Sequence, residues 1–89
     1  MNINVERIYR LPENGPIKAF VDLSIENVLL IKGIRIAEGT KGLFVSMPQE
    51  QGKDKRWYDT IRCLDPEFKK RLDDEILSTY NENNTEKTP

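Results

Sequence analysis

Residues 42–48 read Gly-Leu-Phe-Val-Ser-Met-Pro, a short apolar run between a glycine and a proline. Such a run is too short for a helix, and its residues favour extended backbone. It therefore predicts a buried strand that ends at Pro48. The segment therefore indicates the fold, and it contains no pair of side chains that could act as nucleophile and base.

The N-terminal residues also show the alternation of a strand. Within residues 3–10, Ile3, Val5 and Tyr9 share one parity, while Ile8 has the other. Alternation with a single break is typical of a strand with one buried face. We therefore predict a first strand here, with Ile3, Val5 and Tyr9 on the same side.

Two further strands are predicted between this one and residue 42. Residues 17–25 place five aliphatic side chains on one face, with Phe20 as the exception. The preceding residues 11–16 contain two prolines and an Asn-Gly pair, which favour a turn and hence a hairpin. Residues 26–27 then make a tight two-residue connection to a long aliphatic strand over residues 28–36.

The aliphatic strand lacks clean alternation, and residues 28–31 are consecutive aliphatics. This pattern predicts that both faces are covered there, while Gly33 marks a bulge or a close approach. The aliphatics exceed what one helix covers and favour self-association, most simply as a dimer.

After Pro48 the sequence becomes polar and then helical. Residues 49–55 have no periodicity and predict a mobile, exposed loop, and residues 57–61 predict a short fifth strand. Asp65 is a good N-cap, and Pro66 suits the first helical position. An apolar stripe then recurs about every four residues, typical of an amphipathic helix: Phe68, Leu72, Ile76, Leu77 and Tyr80.

The length of 89 residues allows one domain. We expect an α+β fold, a small four- to five-stranded antiparallel sheet with one C-terminal helix packed on it. Residues 1–80 form the predicted domain. Residues 81–89 are polar and predict a disordered tail.

The composition argues against catalysis and metal binding. Cys63 is the single cysteine and there is no histidine, so the commonest metal ligand and general base are absent. Cys63 is interpreted as a small buried hydrophobe. We expect no enzyme activity, no cofactor, no metal site and no small-molecule substrate. The sequence also shows no long apolar run and no leader, which predicts a cytoplasmic chain without membrane contact.

Positive charge is concentrated in residues 53–71, although the net charge of the chain is -1. Clustered cations favour contact with phosphates, which makes affinity depend on salt. The alternative is a solvated helix face with i,i+4 ion pairs, Lys70 with Asp74 and Arg71 with Glu75. The candidate nucleic-acid-binding residues are Lys53, Lys55, Arg56, Arg62, Lys69, Lys70 and Arg71.

Two aromatic residues stand next to these cations. Trp57 and Tyr58 follow Lys55 and Arg56 directly. Aromatic rings beside cations can stack on unpaired bases, whereas a tryptophan can equally cover a sheet end or a dimer contact. We favour packing for Trp57 and leave the role of Tyr58 open.

Several segments together resemble the SpoVG family, small bacterial regulators that bind nucleic acid. The resemblance rests on Ile34-Arg35, on residues 42–48, on Tyr58-Asp59-Thr60-Ile61 and on the helical segment 65–80. It implies a homodimer that binds DNA or RNA and regulates gene expression. The chain departs from the family at Gln49-Glu50-Gln51, where many members have a basic cluster, and at Arg62-Cys63, where they have His-Pro.

A second hypothesis belongs to another class. The same surface could serve a protein-interaction adaptor that uses the sheet edge or the helix and attracts an acidic partner. A nucleic-acid binder should show a steep salt dependence on oligonucleotides, whereas an adaptor should not bind them.

Overall fold

The computed structural model describes residues 1–12 and 15–82 and shows an α+β architecture. The predicted fold class is confirmed, with four strands in the main sheet. Two short strands form a second sheet. The elements are β1 Ile3–Arg10, β2 Ile17–Ile25, β3 Leu29–Gly39, β4 Gly42–Ser46, β5 Gln49–Gln51, β6 Trp57–Asp59 and α1 Pro66–Glu82.

The main sheet is antiparallel with the order β1-β2-β3-β4, so each strand pairs with its neighbour in sequence. Helix α1 packs against β1 and β4. The side chains under α1 form the core, and Ala19, Val21 and Leu23 of β2 are fully buried there. We call the side of the sheet that faces α1 the inner face and the opposite side the outer face.

The predicted two-residue connection at residues 26–27 is confirmed. Glu26 and Asn27 have φ values of 56° and 55°, and the Val28 N–H donates to the Ile25 carbonyl at 3.0 Å. Two left-handed residues in succession are typical of the type I′ turn, whose twist matches the flanking strands.

The break in alternation in β1 is a bulge. Val5 pairs with Leu23 and Arg7 pairs with Asp22, so Glu6 is an extra residue in β1. One extra residue reverses the direction of every later side chain. Ile8 is therefore buried and Tyr9 lies on the outer face. The prediction that Tyr9 shares a face with Ile3 and Val5 is wrong for this reason.

A second bulge explains the irregular aliphatic pattern of β3. Val21 pairs with Ile34 and Leu23 pairs with Ile31, so two residues of β3 stand opposite Asp22. Gly33 has a φ of +85°, which confirms the predicted bulge. Because of this insertion, Ile31 and Ile34 both point into the core.

Within the single chain the predicted coverage of both faces at residues 28–31 is not found, and coverage by a second copy stays a prediction. Ile31 is buried, but Val28, Leu29 and Leu30 are 87%, 58% and 50% exposed in the single chain. The bulge accounts for the buried residues. The three exposed ones form an apolar end of the sheet that this chain does not cover by itself.

Helix α1 begins as the sequence predicts. The Glu67 N–H donates to Oδ1 of Asp65 at 3.0 Å, which confirms the N-cap. Leu72 and Ile76 are fully buried. The helix is also held at its other end, where Arg10 donates to the Tyr80 carbonyl at 2.7 Å and its guanidinium lies 4.2 Å from the Tyr80 ring centroid.

The helix continues through Asn81 to Glu82, and the rest of the predicted tail, residues 83–89, lies outside the described residues. Cys63 is half-buried against the core, consistent with a packing role. Among the helices of residues 1–12 and 15–82, none is long and apolar enough to cross a membrane.

Residues 49–59 do not form the predicted loop and fifth strand of the main sheet. Instead β5 pairs with β6 in an antiparallel hairpin, with Gln49 opposite Asp59 and Gln51 opposite Trp57. Strand β5 consists only of polar residues, so no apolar pattern indicated it. The predicted strand at residues 57–61 ends at Asp59.

Candidate nucleic-acid interface

The tip of the β5–β6 hairpin presents two lysines. The Lys55 N–H donates to the Gly52 carbonyl at 3.0 Å, and the Gly52 N–H donates to the Arg56 carbonyl at 2.8 Å. Lys55 has a φ of 67°. A turn followed by one left-handed residue is a common three-residue hairpin connection. It places Lys53 and Lys55 at the exposed tip and Arg56 directly after it.

The carboxylate of Asp54 is used within this turn. It accepts a hydrogen bond from the Tyr58 hydroxyl at 2.5 Å and another from the Arg56 N–H at 3.1 Å. The Tyr58 hydrogen bond, followed by that from the Arg56 backbone, lowers the pKa of Asp54, and the same bond to Asp54 raises the pKa of Tyr58. Gly52 permits this arrangement, because a Cβ there would lie 2.8 Å from the Tyr58 ring.

We expect the Tyr58→Phe variant to raise the pKa of Asp54, because the variant lacks the hydroxyl that favours the charged carboxylate. Because the pKa of Asp54 is lowered, this hydrogen bond stabilises the hairpin fully at pH values above the ordinary pKa of a carboxyl group. That stabilisation is lost as the pH falls through the lowered value. For the Tyr58 hydroxyl, the stabilisation is present at pH values below the ordinary pKa of tyrosine. It is lost as the pH rises through the raised pKa of Tyr58.

An NMR titration of the Asp54 carboxyl carbon measures this effect, with Tyr9→Phe as the control because Tyr9 lies on another strand. An Asp54 pKa that is equal in wild type and Tyr58→Phe would show that the hydrogen bond does not form in solution.

The two aromatic residues of β6 lie on opposite faces of the hairpin. Trp57 pairs with Gln51 and Tyr58 pairs with Glu50, and adjacent strand residues point to opposite sides. Trp57 is 58% exposed. Trp57 therefore does not cover the end of the sheet within the single chain, and its packing at a contact between copies stays a prediction.

The seven predicted cations divide into two groups. Those outside the helix, on the hairpin and in the connection to α1, make no ion pair within residues 1–12 and 15–82. Three others belong to α1, where the charge environment differs. The first group is Lys53, Lys55, Arg56 and Arg62, and the second is Lys69, Lys70 and Arg71.

Two of the helix cations are paired with carboxylates. Lys69 donates to both carboxylate oxygens of Asp73 at 2.7 and 2.8 Å, a pair that its i,i+4 spacing could have predicted. The predicted pair of Lys70 with Asp74 is present at 3.3 Å. The predicted pair of Arg71 with Glu75 is not found among the described residues. The Arg71 guanidinium lies instead 5.9 Å from the Phe68 ring centroid.

Acidic side chains also surround the helix cations. A shallow groove on the exposed side of α1 brings Lys70 and Arg71 together with Glu67, Asp74 and Glu75. Carboxylates outnumber cations there, so this groove offers a phosphate less attraction than the hairpin tip.

Sequence reasoning missed the contact that orients the hairpin on the main sheet. Arg35 of β3 donates to Oε1 of Gln49 at 2.9 Å, and Gln49 donates to Oδ1 of Asp59 at 2.9 Å. The Thr60 N–H also donates to the Pro48 carbonyl at 2.9 Å. No local signal indicates a bond between residues so distant in sequence.

Comparison with known proteins gives one family. The SpoVG family model matches residues 1–82 of the chain. A protein of Archaeoglobus fulgidus named "Putative septation protein SpoVG" is 37% identical over 76 residues, which are 85% of this chain and 89% of that protein.

Proteins of the same name give similar matches in two other organisms. That of Clostridium perfringens strain SM101 is 31% identical over 80 residues, covering 90% of this chain and 89% of the relative. That of Clostridioides difficile is 29% identical over 82 residues, covering 92% and 89%.

Proposed function

The chain belongs to the SpoVG family, and from this premise we propose that it binds DNA or RNA as a homodimer and regulates gene expression. The name shared by the relatives suggests septation as the regulated process. The hairpin tip, with Arg62 beyond it, contacts the phosphate backbone in this proposal.

The observation that carries the proposal is the set of cations at the hairpin tip. Lys53, Lys55 and Arg56 are exposed and make no ion pair in the part of the chain that the structure describes. The one carboxylate within the turn, Asp54, is engaged by Tyr58 and by the backbone. A phosphate that approaches this tip meets three cations against the single carboxylate of the turn, which leaves a net positive charge.

Titration of wild type against random DNA and RNA pools tests the function. If four cations each neutralise one phosphate of a duplex, an increase in salt from roughly 50 to 200 mM should lower the affinity about 100-fold. Fluorescence anisotropy measures this slope. Absence of binding near 50 mM salt would reject nucleic-acid binding and favour the adaptor.

The adaptor remains a second candidate because apolar side chains are exposed on the hairpin and in the connection between β6 and α1. Leu64 is 90% exposed and Trp57 is 58% exposed. Such side chains can anchor a protein partner. An adaptor of this kind would not bind oligonucleotides at any salt concentration.

The homodimer is supported by the apolar end of the sheet. Val28, Leu29 and Leu30 are consecutive at the turn between β2 and β3, and all three are exposed, with Leu29 and Leu30 on opposite faces of this end of the sheet. Adjacent exposed aliphatics are commonly covered by a partner. A second copy that covers this end would remove the apolar surface from water.

Sedimentation should give about twice the chain mass of 10.4 kDa for wild type. The double variant Leu29→Asp/Leu30→Asp should be monomeric, because a dimer would bury its unpaired charges. Leu64→Asp is the matched control, since it alters an equally apolar, exposed leucine elsewhere. A monomeric wild type at high concentration, or a dimeric double variant, would contradict this interface.

A further inference from the structure

The outer face of the main sheet carries a row of side chains across all four strands. Tyr9 pairs with Phe20, Phe20 with Arg35, and Arg35 with Ser46. Their neighbours in sequence on β1, β2, β3 and β4 are buried under α1, so this row points away from the helix. Phe44 adds a ring two residues from Ser46 on the same face.

These aromatic rings remain accessible in the folded chain. Tyr9, Phe20 and Phe44 are 36%, 37% and 50% exposed. Helix α1 contacts β1 and β4 from the inner side, so it does not cover them. None of the three rings belongs to the hydrophobic core of the described residues.

Cations are interleaved with the rings. Arg35 stands next to Phe20 in the row. The Arg7 guanidinium lies 5.2 Å from the Tyr9 ring centroid and donates to the Tyr9 hydroxyl. Lys32 is exposed on the bulge of β3. Rings provide stacking surfaces, and guanidinium groups bind phosphates or stack on bases themselves.

From this juxtaposition we propose that the outer face binds single-stranded nucleic acid, with unpaired bases stacked on Phe20 and Phe44 and a phosphate held by Arg35. Aromatic side chains on a four-stranded sheet are a known way to bind unpaired bases. Neighbouring strands lie about 4.8 Å apart, so rings on β2 and β4 are separated by about two strand spacings across the sheet, and Phe44 is also offset by two residues along the strand from the row. The two rings can therefore engage different bases of an extended strand. This inference rests on the proposed nucleic-acid binding and specifies its ligand as single-stranded.

The hairpin extends this surface. Arg35 donates to Gln49, and Gln49 shares a hairpin face with Trp57, because Gln49 pairs with Asp59 and Gln51 pairs with Trp57. The exposed Trp57 ring therefore lies on the side of the hairpin that adjoins the outer face. A strand that leaves the outer face past Arg35 would pass the Asp59 carboxylate, which is bonded to Gln49 on this face of the hairpin, before it meets Trp57 and the cations of the tip.

The charge distribution favours a nucleic acid over a second copy on this face. Two copies packed face to face would desolvate two Arg35 guanidinium groups, which is unfavourable without carboxylate partners. The carboxylates of the outer face lie outside the ring row. Glu6 accepts from the Ser24 hydroxyl at 2.5 Å, and Asp22 stands opposite Arg7 in the register. Phosphates supply the negative charge that the ring row lacks.

The test compares single-stranded and duplex ligands with the double variant Phe20→Leu/Phe44→Leu, which removes the rings and keeps apolar side chains. We expect the affinity for an oligothymidine of about 12 nucleotides to fall at least about tenfold. The affinity for a random duplex, which depends on the cations, should change less than about twofold. Arg35→Gln is the second variant, and it should also lower the affinity for the single-stranded oligothymidine.

Two results would overturn this inference while leaving the proposed function intact: equal losses for both ligands, or no loss for the single strand. A shift from dimer to monomer in Phe20→Leu/Phe44→Leu, measured by sedimentation, would identify the face as a contact between copies and would also overturn it. If wild type binds neither ligand, the proposed function itself fails. Quenching of the fluorescence of the single tryptophan, Trp57, measures the binding of the oligothymidine independently.

Discussion

Leu72→Ala is expected to lower the free energy of unfolding by about 2–5 kcal/mol. Leu72 is fully buried at the centre of the contact between α1 and the sheet, next to the equally buried Ile76. The substitution removes apolar contacts and leaves a cavity that the sheet cannot close without moving. Because small domains have a stability of about 5–15 kcal/mol, such a loss could unfold much of the population.

Urea denaturation followed by circular dichroism measures this loss. Leu64→Ala is the matched control, because Leu64 is 90% exposed and the same truncation there should change the stability by less than about 0.5 kcal/mol. If Leu72→Ala were as stable as Leu64→Ala, α1 would not be docked on the sheet as described.

Charge reversal at the hairpin tip is expected to have the largest effect on nucleic-acid binding. The triple variant Lys53→Glu/Lys55→Glu/Arg56→Glu removes three proposed phosphate contacts. For a duplex, the slope of log affinity against log salt concentration should become shallower by about 2.7. The affinity near 50 mM salt should fall on the order of 10³-fold. All three residues are exposed, so circular dichroism should show an intact main sheet and helix.

The control for this triple variant is Lys69→Gln/Lys70→Gln on α1. These lysines are already bonded to Asp73 and Asp74, so their neutralisation should change the affinity much less. Glutamine is used and not glutamate, because Lys69 is half-buried and bonded to Asp73, and a glutamate there would face a like charge. An equal loss in both variants would show that α1 contributes as much to the phosphate contacts as the hairpin tip does, which would contradict the assignment to the tip.

Much of the fold could be predicted because its signals are local. The N-cap at Asp65 and the tight turn at Glu26-Asn27 depend on residues within a few positions of each other, and both were confirmed. The β5–β6 hairpin could not be predicted in the same way. Its first strand has no apolar pattern, and its pairing follows from a turn held by Asp54 and Tyr58.

The sequence could predict which cations belong to the candidate site, but it could not predict which charges surround each of them. The seven cations are visible in the sequence, and the i,i+4 spacing of Lys70 and Asp74 indicated one pair correctly. The sequence did not show that acidic side chains share the helix groove with Lys70 and Arg71. It also did not show the ring row of the outer face, because Tyr9 was assigned to the wrong side of β1.

The sequence by itself determined the succession of β1 to β4 along the chain, the helix with its cap and buried stripe, and the family. These features follow from alternation, period and turn chemistry over short distances. Only the tertiary structure decided the register: three bulges, at Glu6, at Lys18 and beside Gly33, set which side chains of β1, β2 and β3 face the core and which face solvent. The physical reason is that one inserted residue reverses the direction of all later side chains, and the insertion is stabilised by pairing with a strand far away in sequence.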